Sequence, residues 1–233
     1  MNRRHRLALA ALACAAFAVA GCGGGSNSKS STSAPVAAPL TSGNVATVAG
    51  QPITAATFNH WYQVVVHTNE AGSKQEPVVP DPPSFTGCIA EARTDPKLNH
   101  GTTVQLKDGC AALYRVDRAQ TMDFLIKTIW LDDAGAKANV VPSQAEVTAH
   151  FDAEKKANFK TSAQYQAYLA ATKQSPADVL LRVKSTGLET LLASKDGGDK
   201  KLVALLVSEY KPQTHCVAQY AMADCAGVSS SAG

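Results

Sequence analysis

The chain has 233 residues, of which 45% are hydrophobic, 18% charged and 6% aromatic. This apolar content suits one ordinary domain with tails, or two small ones, and argues against wholesale disorder. Continuous apolar sequence is too scarce for a polytopic membrane protein. The formal charge of +3 comes from Arg3, Arg4 and Arg6 in the first 21 residues, which hold no acid; residues 22–233 carry 19 Lys+Arg and 19 Asp+Glu. A neutral remainder has no overall electrostatic pull toward nucleic acid.

Residues 1–21 read as an export signal. The three arginines form the charged region. Leu7 to Ala20 form an apolar stretch of 14 residues, too short for a comfortable membrane span. Asn2 and His5 fit a twin-arginine motif poorly, which favours the general secretory route. Val19-Ala20-Gly21-Cys22 resembles a bacterial lipobox. That resemblance implies diacylglyceryl transfer to the Cys22 thiol, cleavage before Cys22 and further palmitate-type acylation. Two acyl chains anchor stably where one is marginal. Residues 22–43 are rich in Gly, Ser, Thr, Ala and Pro and are expected to form a flexible tether.

Six cysteines are present. Cys14 leaves with the signal and Cys22 takes lipid, which leaves Cys88, Cys110, Cys216 and Cys225 for disulfides in an exported chain. Three pairings are possible. The near-neighbour one, Cys88–Cys110 with Cys216–Cys225, is favoured because each pair flanks a loop-like segment. The loop-entropy model gives the larger bridge about 3 kcal/mol. A zinc site is disfavoured, since there is no C-x-x-C pair and His215 is the one histidine beside a cysteine.

In chain order, Val45–Ala49 is β-prone and Gly50-Gln51-Pro52 reads as its turn. Thr54 is placed to cap a first helix over about 54–68, with Phe58, Trp61, Tyr62, Val65 and Val66 on one face. Residues 70–109 hold Pro77, Pro80, Pro82, Pro83 and Pro96 and read as a long irregular loop in need of a pin. A helix from about Ala111 to Ala138 has a wide apolar face and should be central. Ser143–Glu146 forms a capping-box pattern before a third helix to about Asn158, with Val147, His150 and Phe151 expected inward. Thr161 or Ser162 caps a fourth helix, and Ser175-Pro176-Ala177-Asp178 starts a fifth. Residues 195–199 break it, and a sixth helix spans about 200–210, with Leu202, Val203, Leu205, Leu206 and Tyr210.

No G-x-S-x-G, Walker A, G-x-G-x-x-G or H-E-x-x-H pattern occurs. His60 and His67 could share a helix face but lack partners. Asp132-Asp133 and Asp152 with Glu154 read as helix-surface charge. Phe58, Trp61, Tyr62 and Trp130 read as core; their functional alternative is an open apolar groove for an extended peptide. No cofactor or metal is expected.

The ordered set of these signals resembles the SurA/PrsA-type extracytoplasmic foldases, in an actinobacterial lipoprotein branch. Val45–Thr54 followed by an aromatic helix resembles their opening, and Pro82–Cys88 resembles a PPxFxxC element. Phe124–Ala134 resembles their core helix, and Val140–Phe151 the start of the next. Thr214-His215-Cys216 with Tyr220 and Cys225 resembles their ending. The similarity spans about residues 45–226. It implies a mainly α fold, a five- to six-helix SurA N-terminal-like domain with one short N-terminal strand and a disulfide-pinned loop. On this reading the domain occupies 44–226 and a disordered tail occupies 227–233. The parvulin domain inserted before the last helix in many members has no counterpart here. Gly197-Gly198-Asp199 resembles a parvulin GGD, but the surrounding module is missing.

The implied function is a chaperone-like lipoprotein, anchored outside the bacterial cell membrane through Cys22, that binds unfolded or nascent secreted polypeptides without isomerase chemistry. Phe58, Trp61, Tyr62 and Trp130 are the expected client-binding residues. The alternatives are a degenerate parvulin-type peptidyl-prolyl isomerase and a cell-envelope scaffold that uses the 70–109 loop to hold a partner.

Overall fold

The computed structural model describes residues 36–37, 39–71, 77–95 and 99–229. The export signal, the lipobox with Cys22 and the start of the tether lie outside the described residues, as do residues 230–233.

The fold is mainly helical. Strand β1 (Asn44–Val48) turns into β2 (Gln51–Thr54) as a tight antiparallel hairpin. Both turn residues have positive φ, 48° at Ala49 and 81° at Gly50, the twist that a two-residue hairpin requires. Two strands therefore stand where one strand and a turn were expected. Pro52 is tolerated because β2 is the outer strand of the sheet, where a missing N–H breaks no inner ladder. Helix α1 (Ala55–Asn69) follows, with the Thr54 hydroxyl accepting from the Thr57 N–H at 3.0 Å.

The Pro-rich segment is more ordered than its composition suggests. It carries a short helix, α2 (Thr86–Ala92), whose N-cap residue Phe85 has φ 58° and no capping side chain. Asp81 caps it from a distance: its carboxylate accepts from the N–H groups of Gly87 (2.9 Å) and Cys88 (3.1 Å). Partial burial opposes ionisation of Asp81, but these backbone donors outweigh it and hold the carboxyl below its ordinary range. The Cys88–Cys110 disulfide then ties α2 to α3 (Thr103–Ala138). That helix starts eight residues before the expected Ala111, because Thr102 and Gln105 form a reciprocal capping box.

Helices α4 (Gln144–Asn158), α5 (Ser162–Ala171), α6 (Pro176–Asp196) and α7 (Asp199–Tyr210) lie close to their expected spans. The Ser143/Glu146 and Ser175/Asp178 boxes open α4 and α6. Asp178 also takes a 2.9 Å contact from His60 Nε2, which links α6 to α1. On α4, Val147 is buried and Phe151 half-buried, but His150 is exposed, contrary to expectation: α4 is a peripheral helix with a narrow inward face. There are seven helices among the described residues, where five or six were expected.

The segment after Pro212 is structural as well. Strand β3 (Thr214–Val217) pairs antiparallel with β1, Thr47 opposite His215. Strand β4 (Gly227–Ser229) pairs parallel with β3, so the sheet order is β2-β1-β3-β4. Residues 227–229, expected in a disordered tail, are thus a strand. The Cys216–Cys225 bridge closes the turn between β3 and β4. The described end of the tether is pinned too: the Leu40 N–H donates to Tyr220 Oη at 2.9 Å, and Asn59 donates to the Leu40 carbonyl.

Helix α3 is the spine, with Thr121, Met122, Ile126 and Trp130 fully buried. Helices α1, α6 and α7 and the sheet pack around it. At Gly135 helix α6 comes so close that an added Cβ would lie 2.5 Å from Leu188 Cδ2.

Candidate functional site

The four aromatic residues expected to meet clients are all interior. Phe58, Trp61 and Tyr62 on α1 are 1%, 5% and 6% exposed, and Trp130 on α3 is 1% exposed. Phe58 meets Tyr220 edge-on at 4.7 Å between centroids, Trp61 meets Phe124 at 4.4 Å and Tyr62 meets Tyr114 at 5.5 Å. Trp130 stacks over Tyr210 at 6.2 Å and donates its indole N–H to Thr214 Oγ1 at 3.0 Å. Such pairs bury large apolar area and satisfy the indole donor, which explains why these rings hold the core together. They are corrected from client-binding residues to core residues.

Both predicted disulfides form, Cys88–Cys110 and Cys216–Cys225. Asp132 pairs with Lys184 on α6 at 2.8 Å and Asp133 with Lys137 at 2.7 Å, so that acidic pair braces the helices. Among the described residues no group of three or more His, Cys, Asp or Glu could hold a metal ion. No helix among them is long and apolar enough to cross a membrane.

An open apolar feature lies elsewhere, where the C-terminal parts of α3 and α6 meet α7. A hollow of about 270 Å³ is lined by Ala134 and Ala138 from α3, Leu192 and Asp196 from α6, and Leu202, Leu205, Leu206, Glu209 and Tyr210 from α7. Its origin is local. Ala134 and Ala138 are one turn apart on the same helix face, so α3 presents two methyl groups where larger side chains would have filled the space. Leu192, Leu202 and Leu206 are buried and form the floor, while Leu205 remains 51% exposed at the mouth. This is small for a drug-sized ligand and suits one or two side chains of a peptide.

One wall of the hollow is a polar network. Tyr210 Oη donates to Asp133 Oδ2 at 2.7 Å. Lys137 Nζ lies 2.7 Å from both Asp133 Oδ2 and Glu209 Oε1, and 4.8 Å from the centre of the Tyr210 ring. Hydrogen bonds from Lys137 and then Tyr210 hold the Asp133 carboxyl below its usual range. Burial, reinforced by the bond to Asp133, pushes Tyr210 up to about 12. The network fixes α7 to α3 and leaves Lys137 fully engaged. The Asp196 side chain, half-buried, makes neither a hydrogen bond nor an ion pair among the described residues.

Two other features are of different character. A shallow depression of about 260 Å³ at the α4–α5 corner is lined by Asp152, Lys155, Lys156, Phe159, Lys160, Thr161 and Ser162. Asp117 is buried between α1 and α3, where it accepts from Asn69 Nδ2 at 3.1 Å; burial pushes its carboxyl up to about 6. The hollow itself was missed at the level of sequence. Its signal is the apolar face of α7, on which Leu202, Leu205 and Leu206 cover more surface than one packing partner can use. Comparison of the chain with protein-family models, curated proteins and solved structures finds no match.

Proposed function

We propose that this protein is a non-catalytic binding module, tethered outside the bacterial membrane through Cys22, that holds apolar segments of exported chains before they fold. The observation that carries the reading is the aliphatic hollow between α3, α6 and α7, with Leu205 half out of the protein beside it. An apolar recess with an exposed rim recognises side chains by burial alone, which tolerates many sequences. Burial of one leucine-sized side chain there is worth about 1.5–3 kcal/mol, a weak grip suited to clients that must be released. The ordered resemblance to SurA/PrsA-type foldases over residues 45–226 and the helix-rich architecture favour a SurA N-terminal-like chaperone domain. The two disulfides suit an oxidising, extracytoplasmic compartment, and the lipobox supplies the anchor.

The test is suppression of aggregation of an unfolded model substrate by the full chain, alongside a Leu205→Glu variant. The expected result is slower aggregation with the native chain and a clear loss of that effect in the variant, with an unchanged circular dichroism spectrum. No protection by the native chain overturns the reading. Acceleration of prolyl isomerisation by the same preparation would move it to the isomerase alternative.

A further inference from the structure

We infer that the face between α1 and Tyr220 is a binding site for a non-helical apolar peptide, filled in this structure by the chain's own segment around Val36 and Leu40, a displaceable strap. The site is separate from the hollow and does not rest on it.

The strap is held as a peptide ligand is held. The Leu40 N–H donates to Tyr220 Oη at 2.9 Å, and the Leu40 carbonyl accepts from Asn59 Nδ2 at 3.2 Å. Side chains of the fold thus grip both main-chain groups of one residue, and a main-chain grip is indifferent to sequence. Selectivity comes from apolar contact: Val36 and Leu40 pack half-buried against the core, while Ala37 is exposed. The two jaws are braced. Asn59 sits on α1 next to the buried Phe58, and the Tyr220 ring meets Phe58 edge-on at 4.7 Å. Tyr220 lies inside the loop closed by the Cys216–Cys225 bridge, and Arg118 of α3 donates to the neighbouring Gln219 carbonyl. The strap is the looser partner. Val36 and Leu40 belong to no helix or strand. Neutral hydrogen bonds contribute little net in water, so a segment held by two of them and by two half-buried side chains belongs to the low-stability end of the molecule. When it lifts, Tyr220 Oη and the Asn59 amide can take the same two groups from another chain. A visiting residue in the place of Leu40 needs a free N–H, which excludes proline there and favours an aliphatic side chain of similar size.

The experiment uses the full chain and a fluorescent peptide with the sequence of residues 34–42, Ala-Pro-Val-Ala-Ala-Pro-Leu-Thr-Ser, read by anisotropy. In the native chain the strap competes at high effective concentration, because it is covalently attached. In the double variant Val36→Ser/Leu40→Pro it loses its apolar contacts and the N–H that Tyr220 accepts. The expected result is about tenfold tighter peptide binding by the double variant, the gain from freeing a site otherwise about nine-tenths occupied. The gain should be lost when Asn59→Ala or Tyr220→Phe is added; the latter keeps the ring against Phe58 and removes only the hydroxyl. A peptide with proline in place of its leucine should bind neither chain. No gain in the double variant, or a gain indifferent to both Asn59→Ala and Tyr220→Phe, overturns the inference. A peptide signal that Leu205→Glu removes belongs to the hollow, which overturns this inference and leaves the client site there standing.

Discussion

The two sides of α3 are built to opposite ends. Toward α1 and the sheet, it meets rings: Tyr114 against Tyr62, Phe124 against Trp61, and Trp130 under Thr214. Toward α7 it offers, beyond the stack of Trp130 on Tyr210, only Ala134 and Ala138, and the leucines opposite are too few to fill the gap. The first side is closed although it holds the chain's largest apolar residues; the second is open although it is made of small and aliphatic ones. Residue type therefore does not decide which apolar surface stays available. Volume matching between facing elements does.

The difference can be probed with substitutions. The largest expected effect is on the closed side: Trp130→Ala should cost about 3–5 kcal/mol in urea denaturation. Leu205→Ala at the open hollow should stay within about 0.5 kcal/mol. Comparable losses at the two positions would erase the distinction. Next, serine at both Cys88 and Cys110 removes the bridge that pins α2 to α3 and should cost about 3 kcal/mol. An unchanged midpoint would mean that Asp81 capping alone holds the segment. Gly135→Ala drives a methyl group into Leu188, which is fully buried, and should cost about 2 kcal/mol in the same assay.

The smallest effect is pH-dependent. Asp117 is a carboxyl on the closed side raised to about 6 in the folded protein by burial, above its unfolded value. Its contribution is fully present below about pH 4 and is lost as pH rises through about 6. The native chain should therefore be about 1 kcal/mol less stable at pH 8 than at pH 5 from this group. Asp117→Asn should flatten that slope, and an unaltered slope in the variant would assign the pH dependence elsewhere.

Much of the architecture is legible in the sequence because helix ends are chemically local. Ser143 with Glu146, Ser175 with Pro176 and Asp178, and Thr54 or Thr161 before an apolar run each carry their own cap. The near-neighbour cysteines also pair as their spacing suggests. The first eight residues of α3 are hidden because Thr103–Cys110 contains Gly109 and little apolar periodicity, and because prolines upstream dominate the composition. Strands β3 and β4 are hidden because four or fewer residues gain their order from a distant partner. The burial of Phe58, Trp61 and Tyr62 is undecidable from periodicity: a ring facing a groove and a ring facing a core repeat at the same interval. The hollow is made by three helices far apart in sequence, so no local motif announces it.

Strand β1 is among the first elements to leave the ribosome, yet its inner neighbour β3 is among the last. Until the C-terminal segment arrives, the hairpin has a bare backbone edge and Trp130 lacks the Thr214 hydroxyl that accepts its N–H. Any chain cut short before Thr214, by premature termination or by a protease, would keep its helices while exposing a strand edge ready to pair with a stranger. The last 20 residues thus act as the seal on a fold whose other end was made first.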